Sequence, residues 1–241
     1  MTDTKYQRVL LKISGEGLCK PGAGGIDGES LASLADEIKQ VVDLGVELAV
    51  VVGGGNLVRG GVIAKDSPID ESTGHYMGML ATVINALAVQ DTLESLGVQT
   101  RVQSALAIES VCEIFIRRRA VRHLEKGRVV IFAAGTGNPF VTTDTGAALR
   151  AAEISADVLL KATKVDGVYT ADPVTDTTAK RIERLTYNEV IDRRLSVMDV
   201  SAVDLCQRSR IPIIVLDLRK PGNMRAVVAG KGVGTLISAD A

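Results

Sequence analysis

Four short stretches of the sequence combine positive charge, hydroxyl groups and glycine directly after an apolar run. The first is KISGEG, residues 12–17, in which Lys12 precedes small residues. Small residues let backbone amides approach an anion, and a lysine supplies a compact positive charge. The spacing differs from that of a P-loop, so a nucleotide held here requires another arrangement. Alone, the stretch fits a simple turn after a strand equally well.

The second stretch is GGGNLVRGG, residues 53–61, which surrounds Arg59 with glycines. A turn requires one or two glycines, and each further glycine increases the conformational entropy lost on folding. The run therefore indicates close contact between the backbone and a ligand. The guanidinium of Arg59 offers a fork of donors that fits phosphate oxygens, so this stretch predicts a phosphate site.

The third stretch is AAGTGNPFVTTD, residues 133–144, and a helical pattern begins at its end. Thr142, Thr143 and the free amides of a first helical turn are predicted to form an anion site that the helix dipole reinforces. Asn138 is placed to contact a base or a ribose. A plain helix cap at Thr143 or Asp144 explains part of the pattern, but the GTGNP segment exceeds what a cap requires.

The fourth stretch is KATKVDGVYTADP, residues 161–173, which mixes cations, acids, hydroxyls and one aromatic ring. Tyr169 offers a face for a nucleotide base, and Asp172 offers acceptors for ribose hydroxyls or help in orienting a metal. The same stretch contains Asp-Gly and Asp-Pro pairs, which are ordinary turn signals. Taken alone, it is a structural loop.

Together, the four stretches describe a site for two phosphorylated ligands. The chain has two histidines, His75 and His123, and no serine or cysteine in a nucleophile-elbow setting. A hydroxyl acceptor requires a general base, whereas the phosphate of a nucleoside monophosphate is already largely dianionic near neutral pH. Phosphoryl transfer to such an acceptor depends on alignment and on neutralisation of charge by cations and magnesium.

The elements that must position these stretches are apolar strands alternating with helical periodicity. The predicted strands cover residues 8–13, 46–52, 98–102, 128–133, 157–162 and 211–216, and the predicted helices cover 29–44, 72–96, 109–124, 144–155 and 199–209. Residues 166–188 predict irregular structure or a hairpin. Nearly continuous hydrophobicity in the strands indicates an α/β fold, a three-layer αβα sandwich around a mainly parallel sheet. Ligands of such sheets bind beyond the carboxyl ends of the strands, where all four stretches fall.

The amino-acid composition limits the classes of protein to which this chain can belong. The 241 residues are 46% hydrophobic and 24% charged, which predicts one domain or two closely joined lobes with a sizeable core. Lys and Arg number 28 against 29 acidic residues, and aromatic residues make up 3%, so neither nucleic acid nor a membrane is an expected partner. The amino-terminal residues match no signal peptide, and the three cysteines match no zinc or redox spacing, which predicts a cytoplasmic protein with reduced thiols.

The sequence resembles bacterial uridylate kinases of the amino-acid-kinase family over nearly its whole length. The resemblance is carried by LLKISGE, VVVGGGNLVRG, MGMLATVINALA, AAGTGNPFVTTDT, LLKATKVDGVYTADP, LTYNEV and VMDVSA. It implies transfer of the γ-phosphoryl group of ATP to UMP in pyrimidine nucleotide (CTP) synthesis. It also implies a single domain, with an acceptor lobe at about 1–150 and an ATP lobe at about 151–241.

The resemblance assigns roles to individual residues. Lys12 and Arg59 steady the transferring phosphoryl group, and Asp144 is a candidate for organising magnesium held through the ATP phosphates rather than by protein ligands alone. The expected ATP contacts are Lys12, Ile13, Ser14, Gly15, Gly55, Arg59, Thr163, Tyr169 and Asp172. The expected UMP contacts are Gly54, His75, Thr136, Gly137, Asn138, Pro139, Phe140, Val141, Thr142 and Thr143.

Further properties of the family are a homohexameric assembly, inhibition by UTP and, in many members, activation by GTP. One position departs from the family pattern: His75 stands where an acidic residue usually contacts the acceptor ribose, and Asp70 or Glu71 are candidates to compensate. Two other functions fit the same fold. A kinase for a small carboxylate or carbamate is disfavoured by GTGNPF, and a nucleotide-dependent molybdate or tungstate storage protein is disfavoured by the intact Lys12 and Arg59.

Overall fold

A computed structural model describes residues 4–171, 175–176, 178–195 and 197–240. Its strands are β1 Arg8–Ile13, β2 Glu47–Val52, β3 Thr100–Ser104, β4 Glu113–Ile114, β5 Val129–Ala133, β6 Val158–Thr163, β7 Val168–Tyr169, β8 Arg181–Ile182, β9 Arg184–Thr186, β10 Ile213–Asp217 and β11 Thr235–Ser238. Its α-helices are α1 Gly28–Val42, α2 Gly60–Asp66, α3 Glu71–Ser95, α4 Arg117–Leu124, α5 Thr143–Glu153, α6 Tyr187–Asp192, α7 Val200–Ser209 and α8 Asn223–Val228.

The main sheet has nine strands in the order β4-β3-β5-β2-β1-β6-β10-β11-β9. Neighbours pair in parallel except β10 and β11, which are antiparallel. The predicted α/β fold around a mainly parallel sheet is thereby confirmed. Strand β1 lies at the centre between β2 and β6, so the chain's first strand is flanked by two of the other strands whose ends carry predicted site residues.

Successive side chains along each strand point to opposite faces of the sheet, so the core consists of two layers. On β1, Val9, Leu11 and Ile13 pack into the core beneath α1, α3 and α8. Leu10 faces the other way, into the core beneath α4, α5, α6 and α7. Because both faces are covered by apolar side chains, the strands read as nearly continuous hydrophobic runs, as the sequence indicated. The arrangement is the expected αβα sandwich.

The predicted helix over residues 109–124 is wrong in its first half. Glu113 and Ile114 form strand β4, which pairs with β3, and the helix begins only at Arg117. Ile114 and Ile116 are exposed, whereas Phe115 between them packs edge-on against the ring of Phe132. This alternation of exposed and packed side chains has the two-residue period of a strand. Pairing with β3 therefore decides the structure here, although the apolar residues of the whole 109–124 segment are spaced as in a helix.

Several short elements were not predicted, namely β4, β9, β11, α2, α6 and α8. Residues 166–188 do contain the expected hairpin, in which β7 and β8 pair antiparallel. Gly45, Gly97 and Gly127 adopt positive φ values between helix and strand, as predicted for left-handed caps. All three cysteines are free. Among the described residues, no helix is long and apolar enough to cross a membrane.

Candidate active site

The sheet order brings the four polar stretches to one edge. They follow β1, β2, β5 and β6, and these strands are consecutive in space as β5-β2-β1-β6. Parallel strands end at the same side of the sheet, so their following loops converge there. The predicted site residues in these loops are therefore neighbours in the structure.

Two lysines lie side by side at this edge because their strands are in register. Lys12 on β1 pairs with Lys161 on β6, and each follows two leucines. Alternation turns both lysines toward the face covered by α5. Asp144, in the first turn of α5, meets them there: its Oδ1 lies 2.8 Å from the Lys12 ammonium, and its Oδ2 lies 2.6 Å from the Lys161 ammonium. We refer to these three residues as the lysine-aspartate cluster.

The cluster is largely shielded from water. The side chains of Lys12, Lys161 and Asp144 are 10%, 13% and 14% exposed, so solvent screens their charges little. Burial raises the pKa of the Asp144 carboxyl, but the two lysine charges outweigh burial, and its pKa lies below the ordinary aspartate value. Burial also lowers the pKa of Lys161, and the neighbouring Lys12 charge adds to that effect while Asp144 opposes it.

The glycine loops after β1 and β2 touch each other beside the cluster. A Cβ atom on Gly15 would lie 2.3 Å from the Asn56 side chain, and one on Gly53 would lie 2.9 Å from the Gly15 nitrogen. Asn56 and Asn85 exchange side-chain hydrogen bonds of 3.1 and 2.7 Å, and the Asn85 amide also donates to the Gly53 carbonyl. The hydrogen bonds hold the GGGN loop in place. The two backbones lie so close together that only glycine fits at positions 15 and 53.

Arg59 lies at the mouth of the site and is held by Glu16. The Arg59 guanidinium donates to one Glu16 oxygen, and the Lys164 ammonium lies 2.5 Å from the other. Hydrogen bonding from Lys164 is the main cause that lowers the pKa of Glu16, so this carboxylate stays ionised between its two cations. The 12–17, 53–61 and 161–173 stretches are thus joined by a chain of charges.

A cavity of about 300 Å³ lies between α3 and residues 134–142, which we call the acceptor loop. It is lined by Gly54, Gly55, Val58, Gly60, His75, Gly78, Met79, Thr82, Gly135, Thr136, Asn138, Phe140, Val141, Thr142 and Thr143. Every residue predicted to contact UMP lines it except Gly137 and Pro139. The structure thus brings together predicted acceptor residues from three segments of the chain, and we refer to this space as the acceptor cavity.

The acceptor loop has an unusual backbone. Ala134 and Phe140 have positive φ values of 60° and 65°, a region that residues with a side chain rarely adopt. The hydroxyl of Thr82 on α3 holds the start of the loop by accepting a 2.7 Å hydrogen bond from the Ala134 nitrogen. Strain of this kind persists where tertiary contacts impose it, and it collects at functional loops.

His75 lines the acceptor cavity next to Phe140. Their ring centroids lie 4.9 Å apart at an angle of 58°. The Glu71 carboxylate is 3.9 Å from the His75 Nε2 atom, on the same side of α3. Asp70 caps α3 by accepting from the nitrogens of Ser72 and Thr73 through Oδ1, and neither Asp70 nor Glu71 is among the residues that line the cavity.

A larger cavity of about 810 Å³ adjoins the cluster and includes Asp144, Lys161, Arg194 and Asp199 in its lining. Thr142 caps α5 by accepting from the Thr145 nitrogen, and its hydroxyl donates to Asp199. Asp199 thereby ties the start of α5 to the start of α7.

A third cavity, of about 510 Å³, lies beyond β6 and includes Lys161, Thr163 and Tyr169 in its lining. The Tyr169 hydroxyl donates a 2.5 Å hydrogen bond to Asp166. Asp172, also predicted to contact ATP, lies outside the described residues. Ile13 is 1% exposed and packs into the core, so only its backbone is available to a ligand.

The described residues contain no ready-made protein site for magnesium. In the described ranges, no three or more His, Cys, Asp or Glu residues lie close enough to hold a metal ion together. Both oxygens of Asp144 already face ammonium groups. Magnesium commonly keeps several waters and binds through one or two carboxylates plus substrate phosphates, and the donor set here suits an ion that arrives on a phosphate chain.

Sequence reasoning missed Lys161 and Asp199 as members of the site. A signal for Lys161 was present, because Leu-Leu-Lys occurs at residues 10–12 and again at 159–161, at the ends of two predicted strands. The signal for Asp199 was weaker, since an aspartate before a helix is also an ordinary cap. Its role becomes visible only when α7 is placed beside α5.

Comparisons with known proteins show the family to which the chain belongs. The sequence model of the amino acid kinase family matches residues 7–217. A uridylate kinase from Paramagnetospirillum magneticum is 59% identical over 239 residues, covering 99% of both chains. Another from Methylococcus capsulatus is 56% identical, covering 98% of this chain and 99% of the other. The structure of a UMP kinase from Bacillus anthracis matches with a TM-score of 0.95 and 40% identity, covering 98% of this chain and 97% of that chain.

The Asp144→Asn variant is expected to be less stable and less sensitive to acid than the wild type. At neutral pH it leaves two buried ammonium groups without their carboxylate, which costs about 3–5 kcal/mol on the scale of a broken buried ion pair. The folded pKa of Asp144 is depressed, so its stabilisation is present above the unfolded value of about 3.9 and is lost as the pH falls through the folded pKa.

Urea unfolding between pH 7 and pH 3, at one fixed protein concentration, measures both effects. The free energy of unfolding of the wild type should fall more steeply below pH 4 than that of Asp144→Asn. Asp36→Asn removes an exposed aspartate on α1 and serves as the control, with the wild-type slope. Equal slopes for the wild type and Asp144→Asn would contradict the assigned charge state.

Proposed function

Because the chain belongs to the amino acid kinase family, we propose that it transfers the γ-phosphoryl group of ATP to UMP, giving ADP and UDP in pyrimidine nucleotide synthesis. The observation that carries this proposal is the buried lysine-aspartate cluster at the sheet edge, between the acceptor cavity and the cavity beyond β6. The sequence identity of 59% and 56% to two uridylate kinases, along nearly the whole chain, supports the choice of UMP as acceptor.

The cluster supplies charge where phosphoryl transfer requires it. As the γ-phosphoryl group leaves ADP, negative charge is spread over its oxygens and over the attacking and leaving oxygens. Lys12 and Lys161 offer two fixed ammonium groups in a shielded position, where they stabilise that charge more than in water. Asp144 contacts both and sets their positions, so we assign it to positioning. The acceptor phosphate needs no general base, because it is already ionised.

We assign UMP to the acceptor cavity and ATP to the cavity beyond β6. The acceptor loop offers Thr136, Asn138 and the first turn of α5 to the nucleotide, and Gly54 and Gly55 offer backbone amides. Thr163 and Tyr169 lie where the base and ribose of ATP would bind. Residues up to about 150 thus form the acceptor lobe, and residues from about 151 form the ATP lobe.

Arg59 and magnesium complete the phosphate site in this proposal. Arg59 lies on the loop after β2 and is within reach of a phosphate chain when it exchanges its Glu16 contact for phosphate oxygens. Magnesium, bound through the ATP phosphates, supplies further neutralisation of charge when present. The residues of this chain orient the two nucleotides and exclude water around them.

We also propose an oligomer, with a hexamer as the expected form. Tyr76, Leu80 and Ile84 recur every fourth residue on α3 and are 42%, 47% and 53% exposed, which forms an apolar stripe. Ile114 and Ile116 expose further apolar surface next to the arginines at the start of α4. Inhibition by UTP, activation by GTP and a cytoplasmic location belong to the same proposal and rest on the family resemblance.

The proposed reaction is tested by steady-state ATP consumption with UMP, CMP, dUMP and AMP in parallel, together with carbamate and N-acetylglutamate. UMP should be preferred over CMP and AMP by at least about tenfold, since a site that hydrogen-bonds a base discriminates strongly against wrong bases. Preference for a small carboxylate, or ATP consumption that is independent of any acceptor, would contradict the proposal.

Lys12→Met is expected to lower turnover by about a hundredfold or more while the protein stays folded, the usual scale for losing one preorganised charge stabiliser. Methionine has a similar length, and Lys161 still neutralises Asp144. Lys39→Met is the matched control, because it removes a partly exposed lysine of α1 that pairs with Asp43, away from the sheet edge. Turnover close to wild type in a folded Lys12→Met protein would remove Lys12 from catalysis.

His75→Asp is expected to lower the Michaelis constant for UMP several-fold. A carboxylate accepts from both ribose hydroxyls, whereas neutral imidazole has one acceptor nitrogen. The Michaelis constant for dUMP, which lacks one of the hydroxyls, should change less. Parallel titrations of UMP and dUMP with both proteins measure the difference. If the substitution shifts neither constant, or both equally, His75 does not contact the ribose.

A further inference from the structure

We propose that Arg150 is a positioning residue for the acceptor site: it holds the Gly135 carbonyl so that the backbone N–H of Thr136 points into the acceptor cavity. The inference rests on the proposed phosphorylation of UMP. Arg150 lies on α5 and does not itself line the cavity. Its effect on the acceptor therefore passes through the loop.

The Arg150 side chain is buried and has three partners. One terminal nitrogen lies 2.5 Å from a Glu153 oxygen, and the other donates a 3.2 Å hydrogen bond to the Gly135 carbonyl. The guanidinium carbon lies 3.8 Å from the centroid of the Phe115 ring. A planar fork can stack, pair and donate at once, which a lysine cannot do. Arg150 thus ties the acceptor loop to α5 and to the segment before α4.

Because the Gly135 carbonyl and the Thr136 N–H belong to one planar peptide group, fixing the carbonyl also fixes the direction of the N–H. No described peptide bond is cis, so the carbonyl of Gly135 and the N–H of Thr136 point in opposite directions. With the carbonyl turned to Arg150, the N–H is directed away from α5. It has no acceptor among the residues that the structure describes. Because Thr136 lines the acceptor cavity, this donor is available to an oxygen of the acceptor nucleotide.

The peptide between Gly135 and Thr136 lies at the centre of a turn, which the Gly137 nitrogen closes by donating a 2.9 Å hydrogen bond to the Ala134 carbonyl. Side chains from two helices hold this turn in place. Ala134 and Gly135 both have positive φ, and the peptide that joins Gly135 to Thr136 follows directly. Thr82 fixes the loop from α3 through the Ala134 nitrogen, and Arg150 fixes it from α5 through the Gly135 carbonyl. Two tethers on successive residues leave the peptide plane little freedom. Removing the Arg150 tether should let the plane rotate and lose the donor.

Arg8 provides a matched control at the other end of the sheet. Its side chain lies 2.6 Å from Glu47 and donates a 2.6 Å hydrogen bond to the Ile154 carbonyl, so it too joins one carboxylate and one backbone carbonyl. It stands at the start of β1, away from the acceptor loop. A purely structural role for Arg150 predicts that Arg150→Met and Arg8→Met behave alike.

The test compares wild type, Arg150→Met and Arg8→Met by calorimetric titration with UMP and, separately, with ATP. Arg150→Met should weaken UMP binding about tenfold and change the ATP dissociation constant less than twofold. Arg8→Met should change neither by more than twofold, although both variants melt at lower temperature. Hydrogen–deuterium exchange of the peptide covering residues 134–140 should slow on adding UMP to wild type and slow much less in Arg150→Met.

Three results would overturn the inference: unchanged UMP affinity in Arg150→Met, equal weakening of both nucleotides, or equal weakening of UMP by Arg8→Met. Arg150→Lys covers the case in which Arg150→Met does not fold, because it keeps the charge and one hydrogen bond. It should weaken UMP binding about threefold, and no change would also overturn the inference. Wild-type protein that binds ATP but not UMP would instead contradict the proposed function itself, and this inference with it.

Discussion

Two ammonium groups held next to each other in a shielded position are the constraint on which the rest of the structure depends. Like charges repel, and the repulsion grows as water is excluded. Here a single carboxylate, Asp144, meets both lysines at 2.8 and 2.6 Å. Removing solvent from three charged groups is costly, and it is offset only when the geometry is good. The fold must therefore place three separate segments of chain with little tolerance.

The register between β1 and β6 and the position at which α5 begins provide that placement. Lys12 and Lys161 are directly paired residues of adjacent parallel strands, so their separation is set by the sheet rather than by side-chain flexibility. Thr142 caps α5, which fixes where the helix begins and hence where Asp144 lies. The glycine loops follow from the same requirement. Gly15 and Gly53 let two loops pass in contact beside the cluster.

Sequence reasoning reached the sheet, most of its strands and the edge at which ligands collect, because these depend on local hydrophobic patterns and on a general property of parallel sheets. It failed where pairing partners decide the outcome. Residues 113 and 114 form a strand instead of a helix because β3 was available to pair with them. Lys161 was missed as a site residue because its role depends on register with Lys12, and register is not visible in one strand alone. Arg150 reads as an ordinary helix cation until its contact with Gly135 is known.

The lysine-aspartate cluster and the acceptor cavity are held in place by different kinds of structure. This difference determines which of the two can change without the other. The two lysines of the lysine-aspartate cluster lie on paired strands, whose geometry cannot shift without breaking the sheet. The acceptor cavity rests on a loop with positive φ at Ala134 and Phe140, held by single side chains from α3 and α5. In the reaction that we propose, substitutions in that loop or its tethers would alter which acceptor fits while the lysines stay in place. His75 is such a position, since it meets Phe140 in the cavity without touching the lysine-aspartate cluster. Under this proposal, acceptor preference can diverge among proteins that share the lysine-aspartate cluster.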